Sequence, residues 1–241
     1  MDPTSWPTAT DPYEMLAVIH PQRNLDSDLP QSNESRLYLL ACARQAWDRL
    51  PGVCRVAARL AERVYGGRIK DRRLRDQVYP HVEALTHCRG EAEEVNAIAA
   101  AFVRLGLADQ GLADPAEVFV SSDIPAEVWS GFAHLVFLPF YRDGTPNYRL
   151  IPRELHSADL IREVFGNPFR REPPLDPCYL TETVLQLTAR AEEEDDFSVY
   201  PILADALQDA GCERSELLAH LRSPGPHVRG CWALRVIRGE C

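Results

Sequence analysis

The sequence predicts a mainly α-helical protein, built as an orthogonal helical bundle or short helical array with a small irregular or β-hairpin insertion in its middle. Three observations predict it. Apolar residues recur at spacings of three and four along most of the chain, the period of one helix face. Glycines and prolines gather at the ends of those runs. Between residues 107 and 156 alone, breakers crowd together at Gly111, Asp114-Pro115, Pro125, Pro139, Asp143-Gly144, Pro146 and Pro152.

Residues 1–34 contain Pro3, Pro7, Pro12, Pro21 and Pro30 and read as an irregular N-terminal arm. One short helix fits over 11–19, with Asp11 as its cap and Pro12 at its first position. Residues 35–106 read as an N-terminal helical domain. A helix over 34–50 places Leu37, Leu40, Ala41 and Trp47 on one face and ends at Pro51-Gly52. The next, over 53–65, gathers Val53, Val56, Ala57, Leu60, Ala61 and Val64 and leaves Arg55, Arg59, Glu62 and Arg63 outside the stripe. Residues 71–88 continue the helical spacing, with Pro80 dividing or kinking them. Residues 91–105 form a helix with an acidic first turn, favourable to the macrodipole, closed by Gly106.

The insertion, 107–156, includes the run 134–141 (HLVFLPFY), which is equally a buried strand or a short apolar helix. As a strand it pairs with 148–151 across the Asp143-Gly144 turn. Helical spacing returns in a C-terminal module, 157–241. Its helices cover 157–165 capped by Ser157, 181–191 capped by Thr181, 201–210 ended by Gly211, 215–221, and 228–237. Phe165, Phe169, Leu185, Leu203, Leu207, Leu217, Leu218 and Trp232 are its expected core.

The chain's 241 residues carry a net charge of −10, with 26 basic and 36 acidic side chains. That balance argues against a general nucleic-acid binder, because a polyanion is repelled at long range. Hydrophobic residues at 45% and charged residues at 26% belong to an ordinary globular protein and argue against disorder. No run of 18 apolar residues occurs, and the first 30 residues are polar and Pro-rich, so a cytoplasmic protein is expected. Seven scattered cysteines without a C-x-x-C pair predict reduced thiols.

Three C-terminal segments carry a resemblance: 161–170 (IREVFGNPFR), 201–212 (PILADALQDAGC) and 220–232 (HLRSPGPHVRGCW). They resemble a family of uncharacterised proteins expanded in planctomycete bacteria, whose members end in PILADALEDAGC followed by LLAHCRGPGPHVRGCW. Residues 6–16 (WPTATDPYEML) and 35–47 (SRLYLLACARQAW) are similar to the opening of the same family. The resemblance implies no activity, since none is assigned to that family. Its members carry an Ala/Arg-rich helix in the middle, so 107–156 departs from the pattern. Residues 203–211 (LADALQDAG) also resemble the ADWLEE-x-G helix of a repeat-companion domain from the same bacterial group.

Candidate chemistry gathers in the tail. Cys212, His220, His227 and Cys231 are residue types that ligate zinc, and the Gly/Pro-rich turn 223–226 is placed to fold the two halves of the set together. Only His227-x-x-x-Cys231 has a chelating bite, so the same residues also read as packers, with His220 beside its helix C-terminus. Cys231 with His227, or His87 beside Cys88, are candidates for thiolate catalysis, although adjacent helix positions point apart. Eight basic and two acidic residues over 55–75 leave a local charge of +6. Its densest part, Arg68, Lys70, Arg72, Arg73 and Arg75, is a candidate patch for phosphates or an acidic partner, or a solvated face. The acidic run 192–196 reads as a solvated loop or as the partner of that patch. No phosphate-loop, dinucleotide, zincin or nucleophile-elbow motif occurs.

The sequence therefore points to a non-enzymatic interaction or adaptor protein whose partner is another protein. Its alternatives are a zinc-supported binding domain, a nucleic-acid-associated effector using residues 55–75, and a toxin-neutralising immunity protein.

Overall fold

A computed structural model describes residues 1–19, 33–65, 80, 81, 84, 87–104, 153–170, 172–194 and 196–239. The described residues are helical and contain no strand, as the mainly α expectation requires. Residues 107–152 of the expected insertion 107–156, with the run 134–141 and its hairpin partner, lie outside them, as does most of 71–88. No helix among the described residues is long and apolar enough to cross a membrane.

The chain divides into two compact units. One joins Met1–Ile19 to Ala158–Cys241; the other is His20–Ser157. Met1–Ile19, from the expected N-terminal arm, thus groups with the helices of the C-terminal module.

In the unit His20–Ser157, α2 (Asn33–Gln45) packs on α3 (Gly52–Tyr65), and α3 packs on α4 (Ala92–Arg104). Every side chain from Leu37 to Ala43 is buried, so the middle of α2 is covered all round instead of along one stripe. Glu62, expected outside the apolar stripe of α3, is only 3% exposed. Arg44 accounts for it by donating from Nε to Oε1 at 2.7 Å and from the terminal guanidinium to Oε2 at 2.6 Å. Arg44 also lies over the Trp47 ring at 4.0 Å. Tyr38 and His156 are hydrogen-bonded at 2.8 Å, and Gln45 donates to the Leu155 carbonyl at 2.6 Å. These bonds tie the 3-10 turn Arg153–Leu155 and the residue after it to α2.

In the other unit, α1 (Pro12–Ile19) begins as expected, with the Asp11 carboxylate accepting from the Tyr13 and Glu14 amides. Met15 and Leu16 are fully buried where α1 packs on α5 (Ala158–Phe165). Arg162 of α5 donates to the Ala9 carbonyl at 2.9 and 3.1 Å, which pins the chain before α1. The remaining helices are α6 (Glu182–Glu193), α7 (Tyr200–Asp209), α8 (Ser215–Leu221) and α9 (Trp232–Arg238). Thr181 caps α6 by accepting from Val184, and Gly211 at φ +92° turns the chain out of α7. Val184, Leu203, Leu207, Leu217, Leu221, Leu234 and Ile237 share the core, with Trp232 against it.

Two expected core residues are elsewhere. Phe169 is 40% exposed and meets Trp6 edge-on, because residues 167–169 form an exposed Asx turn in which Asn167 accepts from the Phe169 amide. Leu185 is 52% exposed, since it falls at the flank of α6, turned about 100° from the buried stripe of Val184, Thr188 and Ala191. Within the acidic run, Glu192 pairs with Arg238 at 2.6 Å and Asp196 with Arg190 at 2.7 Å, so it is tied to its own unit.

Candidate functional site

Four helices of the unit holding the C-terminal module bring polar side chains to one buried point. Helix α5 contributes Glu163. Its turns also bury Leu160, Ile161 and Val164, so the carboxylate is carried inward by an otherwise apolar face. Gly166 ends α5 in the left-handed region at φ +67°, and a Cβ there would lie 3.2 Å from Cγ of Trp232. Glycine at this position lets α9 close over the end of α5.

His220 comes from α8, on the turn whose Leu217, Leu218 and Leu221 are buried. The loop after α8 returns tightly: the Ser223 hydroxyl donates to the His220 carbonyl at 2.7 Å, and the Gly225-Pro226 peptide bond is cis. Gly225 has φ +98°, and a Cβ on it would sit 2.8 Å from the His227 amide nitrogen. The turn thereby delivers His227. Cys231 is the residue before α9, and Tyr200 is the first residue of α7.

The geometry converges on Glu163. His220 Nε2 lies 3.2 Å from Glu163 Oε2 and 3.1 Å from Cys231 Sγ. The Glu163, His220 and Cys231 donor atoms all fall within 4.8 Å of one another. His227 Nδ1 donates to Glu163 Oε1 at 3.3 Å, and its Nε2 donates to the Ser223 carbonyl at 3.0 Å. Both of those partners are acceptors, so protonation of His227 is favoured by its surroundings. The Val228 amide donates a further bond to Oε1 at 3.3 Å. The Tyr200 ring packs on His227 with centroids 4.4 Å apart, and its buried hydroxyl lies beside the Cys231 thiol without a hydrogen bond of good geometry.

Burial acts on Glu163, His227, Cys231 and Tyr200, and their neighbours oppose it or add to it. For Glu163 burial would raise the pKa, but the hydrogen bonds from His220 and His227 prevail and hold it at about 2. His227 feels burial in the opposite sense, yet the Glu163 carboxylate shifts its pKa upward. Burial first, and the Glu163 charge second, push the Cys231 thiol well above its ordinary range. The Tyr200 hydroxyl is raised by burial and by the nearby sulfur and carboxylate. The surroundings therefore favour the ionised form of Glu163, the protonated form of His227 and the thiol form of Cys231.

His220 and Cys231 of the sequence-predicted zinc set stand together, with His227 touching the same carboxylate. Cys212 lies outside the group, buried in the core after α7, where its amide donates to the Leu207 carbonyl. Glu163 is the member that sequence reasoning missed, although a carboxylate within the apolar stripe of 160–164 was a signal. The thiolate pairings do not assemble: Cys231 faces His220 instead of His227, while His87 is exposed and Cys88 is buried with its sulfur accepting from Gly90. Arg68, Lys70, Arg72, Arg73 and Arg75 lie outside the described residues. No family model, curated protein or solved structure matches this chain.

Proposed function

We propose that this chain is a non-enzymatic, cytoplasmic binding protein whose partner is another protein. One observation carries the reading: the residues best suited to chemistry are buried and engaged with one another. Cys231 is 0% and Glu163 3% exposed, so neither meets a substrate from solution. A nucleophilic cysteine needs thiolate character and access, and Cys231 has the opposite of both. Outside this cluster, α6 and α7, which pack on each other, leave Leu185 52% and Ile202 58% exposed. We take these two side chains as the contact points for the partner, a choice that the cross-linking below tests. The similarity of residues 203–211 to a repeat-companion helix accords with an interaction role.

Two measurements test it. Alkylation of the folded protein at neutral pH is expected to modify the exposed Cys178 rapidly and leave Cys231 protected. Labelling of both at equal rates would contradict the reading. Cross-linking in native-host extract, followed by identification of the joined peptides, is expected to yield one protein joined near 182–209. That product is expected to vanish in a folded Leu185→Asp/Ile202→Asp variant, and an unchanged product defeats the assignment.

A further inference from the structure

We propose that Glu163, His220 and Cys231 bind a zinc ion that locks α5, α8 and the start of α9 together. Three different elements supply three different donors, a carboxylate oxygen, an imidazole nitrogen and a sulfur, with all three within 4.8 Å. The spacings of 3.1 and 3.2 Å from His220 Nε2 to the sulfur and to the carboxylate are close to a tetrahedral edge. Bonds of about 2.1 Å to nitrogen or oxygen and about 2.3 Å to sulfur put that edge at roughly 3.4–3.6 Å. One nitrogen aimed at two such groups is poorly served by a single proton, whereas a cation between them serves all three.

The donor set selects the metal. Calcium and magnesium require oxygen ligands, which the sulfur and imidazole exclude. A mixed sulfur, nitrogen and oxygen set, with its two edges at His220 near tetrahedral length, suits zinc. Two further groups fit the same assignment. His227 donates to Glu163 Oε1 and leaves Oε2 toward the donor cluster, the way outer groups orient metal-binding carboxylates. Tyr200 is fully buried with its hydroxyl beside the Cys231 thiol and in no hydrogen bond of good geometry. When zinc replaces the Cys231 proton, the resulting thiolate offers that hydroxyl a strong acceptor. The balance is simple: the S–H bond breaks, a zinc–sulfur bond forms, and the proton leaves to buffer. Thiolate and carboxylate together neutralise the ion's charge, which relieves the burial of Glu163. His227 is a positioning residue. The set differs from one built on Cys212, and it stands whether or not a protein partner is found.

The test uses the full chain, stripped with chelator and titrated with zinc chloride and with cobalt(II) chloride. The expected result is about one equivalent of either ion, with about one proton released per zinc at neutral pH. Cobalt is expected to give tetrahedral visible absorption and a near-ultraviolet thiolate-to-cobalt band. That band is expected to persist in Cys212→Ala and to disappear in Cys231→Ala. Glu163→Gln, close in shape and lacking the charge, is expected to weaken zinc at least tenfold. His227→Gln is expected to keep the band while weakening binding about tenfold. Absence of binding by the wild-type chain, an octahedral spectrum without the thiolate band, or a band that survives Cys231→Ala each overturns the site. Should Cys231→Ala unfold, the wild-type spectrum and the Glu163→Gln affinity still decide.

Discussion

Glu163 shows how one side chain can set the pH behaviour of a whole module. In the metal-free protein its carboxyl falls from an ordinary 4.5 to about 2, so its ion pairs stabilise the fold above about 4.5. That contribution, on the order of 3 kcal/mol at full strength, is lost as pH falls from about 4.5 toward about 2. His227 works the other way. Its pKa is raised by the same carboxylate, so its share is complete below 6.5 and lost as pH rises through the shifted value. Urea unfolding of the stripped protein is therefore expected to give greatest site-dependent stability between these limits. Glu163→Gln is expected to flatten the acid limb, and a variant whose acid limb matches the wild type would show that the pair contributes nothing. The imidazoles were visible as residue types in the sequence; their shared carboxylate was not, because it lies 57 positions before His220 and meets it only across packed helices.

At the scale of the element, two devices hold helices in place and each makes a prediction. Gly166 permits a left-handed end to α5 and admits the Trp232 ring against it. Gly166→Ala is expected to cost about 1–3 kcal/mol, from the left-handed penalty and the forced shift of the indole, measured by chemical denaturation. Alanine at the exposed Gly239, where a Cβ meets nothing within 4 Å, retains only the conformational penalty and is expected to cost less. Equal losses at the two positions would remove the close approach from the explanation. In the other unit, Arg44→Met leaves Glu62 buried without its bidentate partner and is expected to cost about 3 kcal/mol. Arg44→Met/Glu62→Leu is expected to recover most of that loss, because no charge then remains inside. A double variant as unstable as the single one would place the cost in lost Arg44 packing on Trp47.

At the scale of the whole molecule, the partition into units separates the first 19 residues from the helices that follow them in sequence. Trp6 is 2% exposed and Met15 and Leu16 are fully buried in the unit that holds α5 to α9. Burial of side chains this large is worth roughly 1.5–3 kcal/mol each. Deletion of residues 1–10 removes Trp6 and the Ala9 carbonyl that Arg162 holds, and is expected to lower the thermal midpoint of that unit by several degrees. The unit His20–Ser157 should keep its own transition. A midpoint indifferent to the deletion would show that the N-terminal segment is an appendage.

Local signals were enough for several helices and their ends, whereas the helix expected over 228–237 begins only at Trp232 and the one expected over 34–50 ends at Gln45, before a 3-10 turn at Trp47–Arg49. The three- and four-residue spacing marks 182–193, 200–209 and 215–221 to within two residues, and Asp11 and Thr181 cap their helices through side-chain bonds that involve only the next turn. Such features depend on neighbours in the chain, so composition and spacing alone determine them. The fate of Phe169, Leu185, Glu62 and Cys212 depended on which helix lies opposite. Periodicity names a face but leaves its partner unnamed, and a side chain's worth is set by what covers it. For the same reason the sequence by itself supplied the imidazoles and thiols of the tail, while only the tertiary structure chose Glu163 as their hub and set Cys212 apart.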